Sequence, residues 1–270
     1  MELTIDKKKN YEIIVFSNQE QGLKAQQILV TKNIDFKHIS TLAVVVPEEK
    51  CEEVCLLLNN EGILISGYYP FLYRDYEEEF FRRAQEYEPS KGEGEFLKSI
   101  TICYVAPCIA DPKKIRLIAY FSCDISEILP YLNAVIKGAS YNKNAPTLTF
   151  TKGRRIINLY NIKVTIAKAE DIIDAWNILN ELKDLINKTY QNKDKIKPNY
   201  EEKVKVTALQ IYGWLPKTNC KACGESTCLA FAVRLLLGEQ KLENCKPLFS
   251  EVKFAENKNI MQEMIEALGL

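Results

Sequence analysis

The chain has 270 residues, 47% of them hydrophobic, with 36 basic and 36 acidic side chains and no net charge. A chain of this length can bury a sizeable core in two or three domains, and its charge balance excludes general binding to nucleic acid. Residues 1–10 are charged and lack the apolar stretch of a signal peptide, and no apolar run reaches membrane-spanning length, so the expected location is the cytoplasm. Nine cysteines, an odd number, then point to ligands and reduced thiols rather than a disulfide framework.

Residues 11–70 read as β-α-β-β-α-β, with strands at 11–17, 36–41, 42–46 and 63–69 and helices at 19–32 and 48–61. Leu23, Ile28 and Leu29 form the expected inner side of the first helix. The element order is ferredoxin-like, so the chain is expected to be α+β and to begin with such a domain at 1–72. Cys51 and Cys55 stand at i, i+4 on the second helix and can face each other. They are expected to be small core side chains beside Val54, Leu57 and Leu58, a thiol pair or two ligands being the alternative. His38 reads as a strand-surface residue.

Residues 73–98 alternate charge with aromatics and reach Pro89, Gly92 and Gly94, which predicts a surface helix and a linker. Phe80, Phe81 and Tyr87 are expected to pack against the chain's own domains. A second α+β domain then spans 99–195. Its strands are expected at 99–105, 115–123, 148–151, 156–160 and 164–167, and its long helix at 171–190. Asp124 and Glu127 suggest a capping box opening a helix that runs to Gly138. The order β-β-α-β-β-β-α resembles one half-repeat of the TATA-binding protein fold. Lys152, Arg154 and Arg155 read as a solvated hairpin tip, with a local anion-binding patch as the alternative. Alternation places Cys103 and Cys123 in the sheet core; a second metal site formed with Cys108 is the alternative, although no fourth ligand is apparent.

The chemistry concentrates near the carboxyl end. Cys220, Cys223, Cys228 and Cys245 stand as C-x2-C-x4-C-x16-C, in which a tight loop presents three thiolates and a returning segment supplies the fourth. Four soft thiolates suit iron-sulfur or zinc, and one C-x2-C knuckle with a C-x4-C step fits an iron-sulfur cluster better than the paired knuckles of zinc sites. Gly224 follows the second cysteine where the turn needs positive φ and room. Ser226 or Thr227 can cap a helix whose first turn carries Cys228, favourably placed in the helix dipole. Pro247 is expected to end the structure around the fourth cysteine. Thr207 caps a preceding helix whose Leu209, Ile211, Tyr212, Trp214 and Leu215 can shield the site, and Ser250 opens a last helix that closes the core.

The run from Leu215 to Pro247 resembles the small 4Fe-4S domain of the corrinoid iron-sulfur protein large subunit, the gamma subunit of acetyl-CoA decarbonylase/synthase. It is similar also to a domain of the B subunit of Rnf-type complexes. The resemblance covers about residues 207–249, and the chain as a whole resembles (Fe-S)-binding proteins. It implies that Cys220, Cys223, Cys228 and Cys245 ligate one [4Fe-4S] cluster, in a cluster domain at 204–249 followed by a C-terminal helix at 250–270. Lys221 stands where glycine is common, and Lys246 lies between the last cysteine and its proline. No barrel of repeated βα units precedes the motif, so corrinoid binding is not carried over.

The expected role is one-electron transfer with a low-potential metalloenzyme or corrinoid protein as redox partner. Two alternatives are an accessory or assembly factor handling sulfur or thiols, and an interaction protein whose C-terminal domain is stabilised by metal. No nucleotide-binding loop and no nucleophile with a base points to an enzyme.

Overall fold

The computed structural model describes residues 3–87, 96–109, 111–201 and 207–268. Pro89, Gly92 and Gly94, on which the expected linker rests, lie outside the described residues. Helices and two antiparallel sheets make up the fold. Among the described residues, no helix is long and apolar enough to cross a membrane.

The first sheet has the order β2-β3-β1-β4, from β1 (Tyr11–Phe16), β2 (Lys37–Ser40), β3 (Ala43–Pro47) and β4 (Ile65–Pro70). Helices α1 (Gln19–Thr31) and α2 (Glu48–Asn60) supply the crossovers. Strand β1 is buried along its whole length because it lies between β3 and β4 and is covered on both faces. Ile14 and Phe16 meet the helices, whereas Ile13 and Val15 join a larger core. The inner stripe of α1 is Gly22, Ala25 and Leu29, with Leu23 turned outward, contrary to expectation. The reason is close approach: a Cβ at Gly22 would lie 1.7 Å from the Thr41 carbonyl oxygen, so the helix can only pack there without a side chain.

Helix α3 (Glu77–Glu86) is less superficial than its charge predicts. Phe80 is fully buried, with ring centroids 5.4 Å from Phe71, 5.1 Å from Tyr73 and 5.3 Å from Phe81. Tyr87 stacks on Trp176 at 5.0 Å, so these aromatics pack on the chain itself.

The second sheet has six strands in the order β5-β6-β10-β9-β8-β7. They are β5 (Ile100–Pro107), β6 (Ile115–Phe121), β7 (Ser140–Asn142), β8 (Thr147–Lys152), β9 (Arg155–Leu159) and β10 (Lys163–Ala169). Strand β7 falls in a stretch expected to be loop; three residues show too little periodicity, and only pairing with β8 defines them. Helix α4 (Leu129–Val135) starts later than expected and has no capping box. Asp124 instead closes a local turn, accepting from the Ser126 amide at 2.7 Å.

Helix α5 (Ile172–Gln191) covers this sheet. Its N-cap, Asp171, accepts from the Asp174 amide at 2.9 Å and from Arg83 of α3 at 2.6 Å. The sheets abut where β4 meets β5: Ser66 Oγ donates to the Ile102 carbonyl at 2.7 Å, and a Cβ on Gly67 would come within 2.3 Å of the Val105 oxygen. One hydrophobic core therefore runs from Ile13 and Val15 to Ile166 and Trp176.

Candidate metal centre

Past Thr207 the chain builds a separate core from α6 (Ala208–Trp214), α7 (Cys228–Leu236), α8 (Lys246–Ser250) and α9 (Ala255–Leu268). Thr207 and Gln210 form a full capping box at α6, and Thr227 caps α7 by accepting from the Ala230 amide at 3.0 Å. Ile211, Leu215, Phe231, Ala232, Leu235, Leu242, Leu248 and Met261 are buried together with Cys228 and Cys245. Leu209 and Trp214 face solvent, so only part of the apolar shield expected from α6 exists; a helix of seven residues presents just one narrow face to its partner. Pro247 does not end the structure: it lies in the first turn of α8, where a missing amide costs nothing. Ser250 closes α8, and the last helix begins at Ala255 after a short 3-10 turn.

Cys220, Cys223, Cys228 and Cys245 line one cleft. Cys220 is exposed, Cys223 half-buried, and Cys228 and Cys245 are buried, so one side of the quartet meets solvent and the other the core. The loop reaches this shape through left-handed backbone at Lys217 (φ 59°), Asn219 (48°), Lys221 (59°) and Gly224 (87°). A Cβ at Gly224 would touch nothing, so glycine there serves the turn. The lysine at 221 occupies a conformation that disfavours side chains.

Backbone amides point at the sulfurs. The Asn219 amide donates to Cys228 Sγ at 3.4 Å, and Asn219 Oδ1 accepts from the Cys228 amide at 2.8 Å. Hydrogen bonds from the Ala222 amide and then the Thr218 hydroxyl hold the Cys220 thiol below its ordinary range. Burial pushes the Cys245 thiol up against a hydrogen bond from the Leu248 amide, and the other three cysteines add to the rise. Behind the loop, Gln240 Nε2 donates to the Cys223 carbonyl at 3.2 Å and to Glu225 Oε1 at 2.9 Å. Buried Glu225 also pairs with Arg234 at 3.3 Å. Sequence reasoning missed Asn219, Glu225, Arg234 and Gln240; an asparagine directly before the first cysteine, in a loop needing left-handed residues, was the available signal.

The donor set fits an iron-sulfur group. Among the described residues, no three His, Cys, Asp or Glu side chains converge as ligands of a metal ion. Four soft thiols lining one cleft, with amides directed at them, suit an iron-sulfur cluster, whose sulfurs accept hydrogen bonds.

The remaining expected residues sit elsewhere. Lys152 pairs with Glu181, Arg154 with Glu239 at 3.0 Å, and Arg155 with both oxygens of Asp174 at 2.7 Å, so the basic hairpin tip is neutralised rather than open to an anion. Cys108 is buried, Cys123 half-buried, and Cys103 exposed, against the alternation argument. A register shift between Ile102 and Tyr104 turns Cys103 outward. His38 is exposed on β2, its Nδ1 3.0 Å from Gln26 Oε1. Cys51 lies in the core under α2, and Cys55 is half-buried one turn on.

Residues 215–247 match the iron-sulfur family described as "Putative Fe-S cluster". Part of the chain is also similar to subunits of larger proteins. It is 46% identical over 61 residues to the acetyl-CoA decarbonylase/synthase complex subunit gamma of Methanocaldococcus jannaschii, covering 23% of this chain and 12% of that protein. It is 50% identical over 48 residues to the corresponding subunit of Methanosarcina acetivorans, covering 18% and 10%. It is 52% identical over 40 residues to the corrinoid/iron-sulfur protein large subunit of Moorella thermoacetica, covering 15% and 9%. The chain thus spans about a tenth of the length of these relatives. No solved structure matches it.

Proposed function

We propose that Cys220, Cys223, Cys228 and Cys245 hold a [4Fe-4S] cluster and that the chain passes single electrons to or from a low-potential metalloenzyme or corrinoid protein. The observation that carries this reading is the meeting of four thiols, from two loops and a helix start, in one cleft with backbone amides directed at them. When bound, such a cluster accepts and releases one electron. The chain's own groups then act around it. Asn219 fixes Cys228 from two sides, and the Gln240, Glu225 and Arg234 network steadies the Cys223 carbonyl. Lys221 and Lys246 line the mouth, where positive charge favours the reduced state and an acidic partner, and Lys217 rests over the Tyr212 ring at 5.5 Å.

In this reading residues 1–72 are a ferredoxin-like domain, 73–98 a helix and linker, and 99–195 a second α+β domain akin to a TATA-binding protein half-repeat with one added strand. Residues 204–249 form the cluster domain and 250–270 the C-terminal helix. Oxygen-free purification with iron and sulfide analysis, and EPR of the reduced protein, test the proposal. Four iron and four sulfide per chain with a reversible low-potential signal are expected; redox-silent zinc would overturn it and support the metal-stabilised interaction protein instead.

A further inference from the structure

A second group of reactive side chains lies beneath α2. Glu12 of β1 shares the helix-facing side of the sheet with Ile14 and Phe16 and is only 8% exposed. Its Oε2 has no hydrogen-bond partner among the described residues. A buried carboxyl oxygen without a partner is costly and needs a reason. On that side of the sheet α2 places Cys51, 2% exposed, and Cys55, half-buried, one helical turn apart and within electrostatic reach of Glu12. Tyr68, opposite Ile14 on β4 and half-exposed, flanks the thiols at the surface.

Burial, followed by the charge of Glu48, raises the Glu12 carboxyl to about 7. The hydrogen bond between the thiols pulls Cys55 below its ordinary value, against burial and the charges of Glu12 and Glu52, and pushes Cys51 up. Cys51, the more deeply buried of the two, is placed to donate, and Cys55 is the thiol open to reagents.

We propose that Cys55, Cys51 and Glu12 form a thiol-exchange site, in which Cys55 reacts with small uncharged or cationic disulfides, Cys51 hydrogen-bonds its thiolate, and Glu12 stores its proton. Cys55 passes its proton to the Glu12 carboxylate, and its sulfur attacks one sulfur of R-S-S-R. The Cys55-S-S-R bond forms as the old S-S bond breaks, and R-S⁻ leaves and takes up a proton. The Cys55 sulfur is oxidised as the departing sulfur is reduced, so no other oxidant is needed, and a free thiol reverses the step. Glu48 and Glu52 give the site a negative field that repels anionic disulfides. The site is independent of the iron-sulfur reading.

The test uses the full chain without oxygen, with residue-resolved mass spectrometry after exposure to cystamine, a small cationic disulfide, or its anionic counterpart dithiodipropionate. Cys103 is the internal control, being more exposed but held up by burial of its sulfur. At neutral pH Cys55 should form the mixed disulfide with cystamine about tenfold faster than Cys103, and dithiodipropionate should react more slowly at Cys55 than cystamine does. Cys51→Ala should slow Cys55 about tenfold and Cys51→Ser should restore most of the rate. Coupling to Glu12 gives the pH-rate profile of Cys55 two steps, the lower near Glu12's value of about 7, and Glu12→Gln should leave one. Equal or slower reaction at Cys55 than at Cys103, or a rate and profile unmoved by Cys51→Ala and Glu12→Gln, would overturn the proposal.

Discussion

In the sheet-bearing part of the chain, Ile13, Phe80, Leu117, Ile166 and Trp176 belong to one continuous core fed by two sheets and three covering helices. Past Thr207, a thin core of Ile211, Phe231, Leu235, Leu248 and Met261 includes Cys228 and Cys245, with Cys223 packed against it. A fold this small is marginal on hydrophobic burial alone and commonly leans on a ligand. The first region is thus stabilised by packing at long range, the second by local caps together with whatever its cysteines bind. The contrast teaches that the same residue type sits in two settings: cysteines of the sheet-bearing part lie in or beside a core built by other side chains, whereas those past Thr207 make up a large share of a small core.

Breaking the ligand set should separate the regions most strongly. Cys228→Ser or Cys245→Ser should abolish iron content and strip hydrogen-exchange protection from α6 to α9, while β1 to β10 keep theirs. Equal loss in both regions would show that they fold as one unit. Phe80→Ala should do the converse, costing about 3–5 kcal/mol in urea unfolding of the sheets with iron content unchanged.

Glu12→Gln sharpens the same contrast through pH. Because the folded carboxyl is raised to about 7 from 4.5, the folded state holds the extra proton, so wild-type stability should fall as pH rises from 4.5 through about 7. The substitution should remove that slope and gain up to about 3 kcal/mol at pH 8, measured by denaturant midpoints in the sheets alone.

Smaller effects belong to the cluster loop. Asn219→Ala removes the acceptor that holds the Cys228 amide and should cost about 1–2 kcal/mol, with a changed EPR signature when the site is filled. Lys221→Gly relieves a left-handed backbone and should raise the thermal midpoint of this segment by an amount worth about 1 kcal/mol, without loss of iron.

Local features were the most legible. Thr207, and Ser226 or Thr227, read as helix caps from the sequence, and in the structure Thr207 and Thr227 each accept from the amide three positions on; Asn18 and Asp171 cap their helices in the same way without having been singled out. Where a cue was weak or a neighbour intervened, reading failed. The Asp124 capping box gave way to a local turn, β7 carried too few residues to show a period, and the bulge beside Cys103 reversed its side.

The positions of most strands along the chain and the four-cysteine motif were in the sequence because strand periodicity and ligand spacing are short-range, needing only neighbours along the chain. Three outcomes came from the tertiary structure: Glu12 within electrostatic reach of Cys51 and Cys55, Phe80 sealed among Phe71 and Tyr73, and the union of both sheets in one core. Each depends on residues far apart in the chain arriving at one place, and burial, unlike spacing, is a property of the assembled surfaces.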